Sequence, residues 1–349
     1  MKKTSRYHLA NYTYEIPSRQ IAQEPLKKRA RSRLLVLHPR QDSFSETIFD
    51  HIGDFLRKGD VLVLNNTKVL KAKLLGTKST GARLDVLLMR DCGKGVWETL
   101  VKPAKRAKIG DVLVFNEKDD FYAHVEGKTT QGGRLLKFNP KNVYSFLEKY
   151  GKVPVPPYIK KEVKDPQSYQ TVYARKRGAV AAPTAGFHFT SGLLSQLKKK
   201  GVQIIPITLH CGLATFRPVK TEDIRAHPMD WEEYEISPRS ARIINNAKKE
   251  KRRVIAVGTT SIRTLEAAAV KTEDYYSIKP GRAQTDLYMY PGYRFKMIDG
   301  IITNFHTPCS TNLILISTFC GTDFLKKAYH YALNRDFRFF SFGDVMAIF

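Results

Sequence analysis

The apolar residues of this chain follow two rhythms. From VLVLN (61–65) to about Phe138 they come in short, partly alternating runs: KVLKAKLLGTK, ARLDVLLM, GVWETLV, DVLVF, FYAHVEG and GRLLKF. Thr-Gly, Gly-Lys-Gly, Ile-Gly-Asp and Gly-Gly interrupt them. Short runs broken by glycine turns read as strands, and this many in so few residues predict a small antiparallel barrel. In NVYSFLEKYG, Val143, Phe146, Leu147 and Tyr150 then fall at helical spacing, with Gly151 as the stop. The prolines of VPVPPY (153–158) make a stiff connector, which sets a domain boundary near 150.

Outside that stretch helix and strand alternate. LLVLH (34–38) reads as a buried strand. Thr190 can cap a helix carrying Leu193, Leu194 and Leu197 and ended by Gly201. VQIIPITLH is a strand, Ser237-Pro238 starts a helix, RVIAVG is a strand and TTSIRTLEAAAV a helix. STNLILISTF and TDFLKKAYHYAL read as two more helices, and FRFFSFGDVMAIF as a final aromatic strand and turn. The expected class is α/β: a large α/β domain built from 1–60 and 151–349, with a small antiparallel β-barrel domain inserted at 61–150.

Composition adds a partner to this picture. Among 349 residues, 59 Lys and Arg face 33 Asp and Glu, a net charge of +26. Such an excess favours polyanions, nucleic acid above all, although a solvated surface would also account for it. Arg31 and Arg33 close a basic cluster with Lys27, Lys28 and Arg29; Lys102, Lys105, Arg106 and Lys108 form an acid-free strip in the insert. The four cysteines lack C-x-x-C spacing, so neither zinc nor disulfides are implied. The N-terminal lysines have no apolar run behind them, and no apolar run reaches membrane-spanning length. A cytoplasmic protein is expected.

Four segments carry candidate chemistry. In GAVAAPTAGFHFTSGLL (178–194) small residues, among them Thr184 and Gly186, precede His188; they fit a site wall or a tight turn. In VIAVGTTSIRTLE (254–266) a strand runs into Gly258, Thr259, Thr260 and Ser261 at a helix start, with Arg263 one turn inside. Helix N-termini favour anions, but an ordinary Thr/Ser cap fits too. His210 falls at a strand end in TLHCGLATFRP (208–218). ITNFHTPCST (302–311) brings Asn304 and His306 to another helix start. Between these, DIRAHPMDWEEYEIS (223–237) clusters His227, Asp230, Glu232 and Glu233, which fit a carboxylate pair for a cationic substrate, or a polar loop, better than a metal.

Together these strings resemble one family: the S-adenosylmethionine:tRNA ribosyltransferase-isomerases of queuosine biosynthesis. The matching text includes IPSRQIAQEPLKKRARSRLLVL, VLVLNNTKVLKAKLLG, LVKPAKRAKIGD, YQTVYARKRGAVAAPTAGFHFT, RVIAVGTTSIRTLE, YPGYRFKMIDGIITNFHTPCST and FRFFSFGDVMAIF, in the same order from near one end to the other. The resemblance implies a large α/β domain with an inserted barrel. It implies transfer of the ribosyl part of S-adenosylmethionine to the aminomethyl group of 7-aminomethyl-7-deazaguanine (preQ1) at the wobble position of tRNA. The ribose isomerises to give epoxyqueuosine, while adenine and methionine leave. S-adenosylmethionine is then a consumed substrate; no true cofactor and no metal are expected, and the protein is expected to act as a monomer.

That reaction needs a base beside the sulfonium, an acid for adenine and an unprotonated amine. His188, His210 and His306 are the candidates for proton transfer. Glu232 and Tyr173 suit the sulfonium or amine. Arg263 and the 258–261 loop suit the methionine carboxylate. Thr184, Gly186 and Asn304 complete the substrate wall, and Arg31, Arg33, Lys102, Lys105 and Arg106 the expected tRNA surface. The chain departs from the family pattern in places. Asp230 replaces the second histidine of H-x-M-H, Thr307 and Cys309 stand in the H-L-P-K-S-T string with Cys309 at the lysine, and Cys211 and Ala214 replace Val and Gly. These departures raise a second reading, a catalytically impaired relative that only binds tRNA.

Overall fold

The structure is a computed structural model that describes residues 5–129, 132–140, 142–212 and 218–349. A 9-stranded sheet runs in the order Gly281–Thr285, Glu232–Ile236, Gln203–Leu209, Val61–Asn65, Val254–Val257, Gly300–Asn304, Val345–Ile348, Arg33–His38 and Ser43–Ile48. The strands from Gln203–Leu209 to Gly300–Asn304 are parallel neighbours. Val345–Ile348 runs against Gly300–Asn304 and alongside Arg33–His38.

Pleating explains how the sheet is covered. Val61 and Val63 point into one core with Ile244, Ile262, Leu265 and Ile314, from the helices Pro238–Lys249, Thr259–Ala267 and Thr311–Cys320. Leu62 and Leu64 point the other way, against Leu193, Leu194 and Leu197 of the helix Ser191–Lys199. Parallel strands covered on both faces are apolar throughout, and every residue of Val61–Asn65, Val254–Val257 and Gly300–Asn304 is buried. The expected caps form: Thr190 accepts from Leu193 N–H, and Ser237 from Ser240 N–H.

A closed barrel joins Arg134–Phe138, Val96–Lys102, Arg83–Asp91, Lys73–Thr77, Val112–Asn116 and Phe121–Lys128. Leu74, Leu84, Val86, Trp97, Leu113, Phe121 and Leu136 fill it, and the helix Val143–Tyr150 adds Val143 and Leu147 to this core.

Two expectations change. VLVLN, expected to open the insert at 61, lies in the middle of the large sheet, and Thr67–Val69 pairs with Lys176–Ala179, so the barrel strands begin at Lys73. The reason is in the burial pattern: Val61–Asn65 is buried at every position, whereas Lys73–Thr77 alternates as a barrel strand must. EEYEI (232–236) is no loop. It is a strand antiparallel to Gln203–Leu209.

Candidate active site

The carboxyl ends of the parallel strands are where α/β sheets gather ligands. Here Asn65, Gly258 and Asn304 end or follow three of these strands, and His210 follows the fourth. Two clefts open there and share Cys211. The strand-end cleft, about 250 Å³, is walled by Ala181–Ala185, Gly258–Thr260, the Thr303–Pro308 segment and Phe340. The inter-lobe cleft, about 450 Å³, has His210, Asp230, Trp231, Glu232 and Glu233 on the sheet side and Arg90, Asp91, Trp97 and Glu98 on the barrel side.

Gly258 enters the helix Thr259–Ala267 at φ 81, a turn that favours glycine. Thr259 and Thr260 line the strand-end cleft, while Ser261 is turned inward and donates to Val257 O (2.7 Å). Asn65, unremarked in the sequence, holds this edge together. Its Nδ2 donates to Leu209 O (3.0 Å) and Thr260 Oγ1 (3.1 Å), and its Oδ1 accepts from Thr67 N and Leu209 N (3.1 Å each). A polar residue ending an otherwise apolar parallel strand was the available signal.

The three histidines occupy three environments. His188 lies in the core, 3% exposed. Asn304 Nδ2 donates to its Nε2 (3.2 Å), which leaves Nδ1 to donate to Ser32 Oγ (3.0 Å), and Ser32 donates onward to Arg29 O (3.1 Å). Burial, helped by Arg29 and Arg338, lowers its pKa to about 3. Thr184, which lines the strand-end cleft, donates to Asn304 Oδ1 (3.0 Å), so His188 reaches that cleft only through Asn304 and Thr184. His306 lines the cleft itself, with Nε2 on Thr303 Oγ1 (2.9 Å), and burial takes its pKa to about 3. His210 lines the inter-lobe cleft with Nδ1 on Thr67 Oγ1 (2.8 Å); burial lowers its pKa against the opposing pull of Glu233 and Glu235. All three are neutral imidazoles near pH 7. Gly178 (φ 145) makes room for His210: a Cβ there would come within 2.8–2.9 Å of the ring.

Glu232 and Arg263, expected to meet different parts of a substrate, instead form a buried ion pair with each other. Glu232 also accepts from Gly212 N (3.1 Å), and Arg263 donates to the carbonyls of Leu287 and Thr285 (3.3 Å each). Tyr173 and Gly186 likewise meet each other, since a Cβ on Gly186 would overlap the Tyr173 hydroxyl; neither lines the two clefts. Of the basic residues, Arg31, Lys102, Lys105 and Arg106 are exposed. Arg33 is engaged within the fold: it donates to Glu46 (2.6 and 2.9 Å) and Arg335 O (2.6 Å), and covers the Phe337 ring at 3.8 Å. Ala214 lies outside the described residues, and among the described residues no group of three His, Cys, Asp or Glu could hold a metal.

A parallel sheet with a small-residue cleft at its strand ends, neutral histidines at hand and a basic barrel beside it defines a two-lobed α/β enzyme. The sequence model of a family described as "Queuosine biosynthesis protein" matches residues 9–348. The S-adenosylmethionine:tRNA ribosyltransferase-isomerase of Desulforamulus reducens is 47% identical over 97% of this chain and 99% of its own. That of Symbiobacterium thermophilum is 45% identical over the same shares. The crystal structure of the S-adenosylmethionine tRNA ribosyltransferase from Thermotoga maritima, 34% identical, covers 97% of this chain and all of its own with a TM-score of 0.55. The chain belongs to the queuosine biosynthesis protein family.

Proposed function

We propose that the chain transfers and isomerises the ribosyl group of S-adenosylmethionine onto the preQ1 wobble base of tRNA, giving epoxyqueuosine and releasing adenine and methionine. The observation that carries this is the end-to-end match to enzymes of that name, at 47% identity over 97% of the chain. S-adenosylmethionine is a substrate consumed in the reaction. The net charge of +26 suits the tRNA, and the cytoplasm is the setting where both substrates meet. Coverage at this level does not favour the binding-only alternative that Asp230 and Cys309 suggested.

Support for a division of labour comes from the two clefts. The strand-end cleft suits S-adenosylmethionine: small walls at Ala181–Ala185 admit a flat purine, and the helix N-terminus at Gly258–Thr260 suits the methionine carboxylate. With Arg263 committed to Glu232, that carboxylate falls to backbone N–H groups and threonines. His306, on the cleft wall, is the base we assign to the carbon beside the sulfonium. The inter-lobe cleft suits the preQ1 base, with His210 taking the proton that frees its amine. His188, Asn304 and Thr184 act as positioning residues behind the first cleft.

The test is incubation with S-adenosylmethionine and preQ1-containing tRNA. Free adenine and a heavier wobble nucleoside are expected. Transfer of a labelled methyl group, or tight tRNA binding without adenine, would sink the proposal.

A further inference from the structure

Trp231 takes no part in the chemistry above. At 64% exposure it is the most open of the large apolar side chains among the described residues, and the only aromatic one of that exposed group. The chain's other tryptophan, Trp97, is 2% exposed in the barrel core. Single exposed aliphatic residues are ordinary, but an indole kept in water forgoes the burial of a large face. Its position is also fixed. The next residue, Glu232, is tied into the sheet as the start of Glu232–Ile236 and through its pair with Arg263. Trp231 lines the inter-lobe cleft and the neighbouring cleft of His227, Arg263 and Tyr288, yet stays open to solvent. It does not line the strand-end cleft. Arg177 and Arg90, the latter paired with Glu98 (3.1 Å), share the inter-lobe cleft with it, as do Asp91, Asp230, Glu232 and Glu233.

An open aromatic face in a chain of +26 matches the way single-stranded RNA is held: unstacked bases lie on aromatic rings, and here the backbone falls to cations outside this acid-rich cleft. We infer that Trp231 is a stacking platform for an unpaired nucleobase of the RNA substrate, next to the base that enters the inter-lobe cleft. This rests on the tRNA reading of the preceding section. Trp231 is a positioning residue: it holds the RNA, while the reacting atoms lie elsewhere. S-adenosylmethionine is disfavoured as its occupant because the cleft suited to that ligand is walled without it.

Tryptophan emission of the full chain, read against that of Trp231→Phe, tests this, because Trp97 lines the same cleft and the variant isolates its own response. A preQ1-carrying anticodon stem-loop RNA is expected to quench Trp231, and S-adenosylmethionine alone is not. Trp231→Ala should weaken RNA binding about five- to a hundredfold, raising KM for RNA while kcat at saturating RNA and KM for S-adenosylmethionine hold. Trp231→Phe should restore most of the affinity without the emission signal. RNA that binds and turns over while Trp231 emission and Trp231→Ala affinity stay unchanged overturns this inference alone. Quenching by S-adenosylmethionine alone also overturns it, assigning the ring to that ligand. A parent chain that neither binds the RNA nor releases adenine overturns both readings.

Discussion

The strand-end cleft and the inter-lobe cleft touch at Cys211 but are made of opposite materials. The first is built from alanines, threonines, glycine and a neutral histidine, with its polar groups tied in relays such as Thr184–Asn304–His188–Ser32. The second is built from charges and aromatic rings drawn from distant parts of the chain, two arginines against five acids. The difference teaches where each kind of substrate can go. A pre-satisfied wall of small groups fixes a small molecule by shape and a few N–H donors. On the proposed reading, a charged cleft between lobes takes one base of a large molecule while the rest stays outside.

The sharpest way to break this comparison is to remove the proposed base from the first cleft. His306→Ala should lose about a hundred- to ten-thousandfold in kcat, with stem-loop affinity unchanged; comparable losses in RNA affinity would merge the two clefts into one site. Next is the floor of the second cleft. Arg263→Met removes the buried Arg263–Glu232 ion pair, and should cost about 3–5 kcal/mol in chemical denaturation. The double variant Arg263→Met/Glu232→Gln should recover part of that. A single variant as stable as the parent would mean that the pair is not the brace described.

Smaller effects sharpen the picture. Folded His188 has its pKa lowered to about 3 from 6.5. Between those values the unfolded chain binds a proton that the folded chain refuses, so stability falls as pH falls through that window. The contribution is about 1.4 kcal/mol per pH unit. Denaturation midpoints against pH should therefore flatten in His188→Gln, and an unchanged slope would place the protonation elsewhere. Least in size, replacing Lys102, Lys105 and Arg106 with alanine should make the log–log salt dependence of tRNA binding shallower by roughly 2 to 3. KM for S-adenosylmethionine should hold. Arg33→Ala, whose guanidinium is engaged with Glu46 and Phe337, should leave the salt slope as it was.

Much of the fold could be read from the chain because helices and barrel strands announce themselves locally. Thr190 and Ser237 cap where expected, and Lys73–Thr77 alternates as a barrel strand should. What could not be read was which strand neighbours which. Val61–Asn65 sits beside strands that follow it by more than a hundred residues, and only its unbroken burial distinguished it from the barrel runs after it. The site was legible as a set of segments but not as pairings. Glu232 and Arg263 both carried the right chemistry for a substrate, and nothing in their spacing revealed that they neutralise each other. The same holds for Gly186, whose small size makes room for the Tyr173 hydroxyl. His188 stood out among small residues for a related reason: tight packing around a buried, hydrogen-bonded ring needs the same residue types as a ligand wall.

The barrel uses one unbroken stretch of chain, whereas the large sheet places Val345–Ile348 between Gly300–Asn304 and Arg33–His38. On a ribosome these two facts become a schedule. The barrel has all its strands once Phe138 has emerged, while Arg33–His38 waits for its inner neighbour until Ile348 is made. At ordinary translation speeds that gap is roughly ten to forty seconds. During it an apolar strand synthesised early must be kept from other partners, and the small lobe has time to finish first.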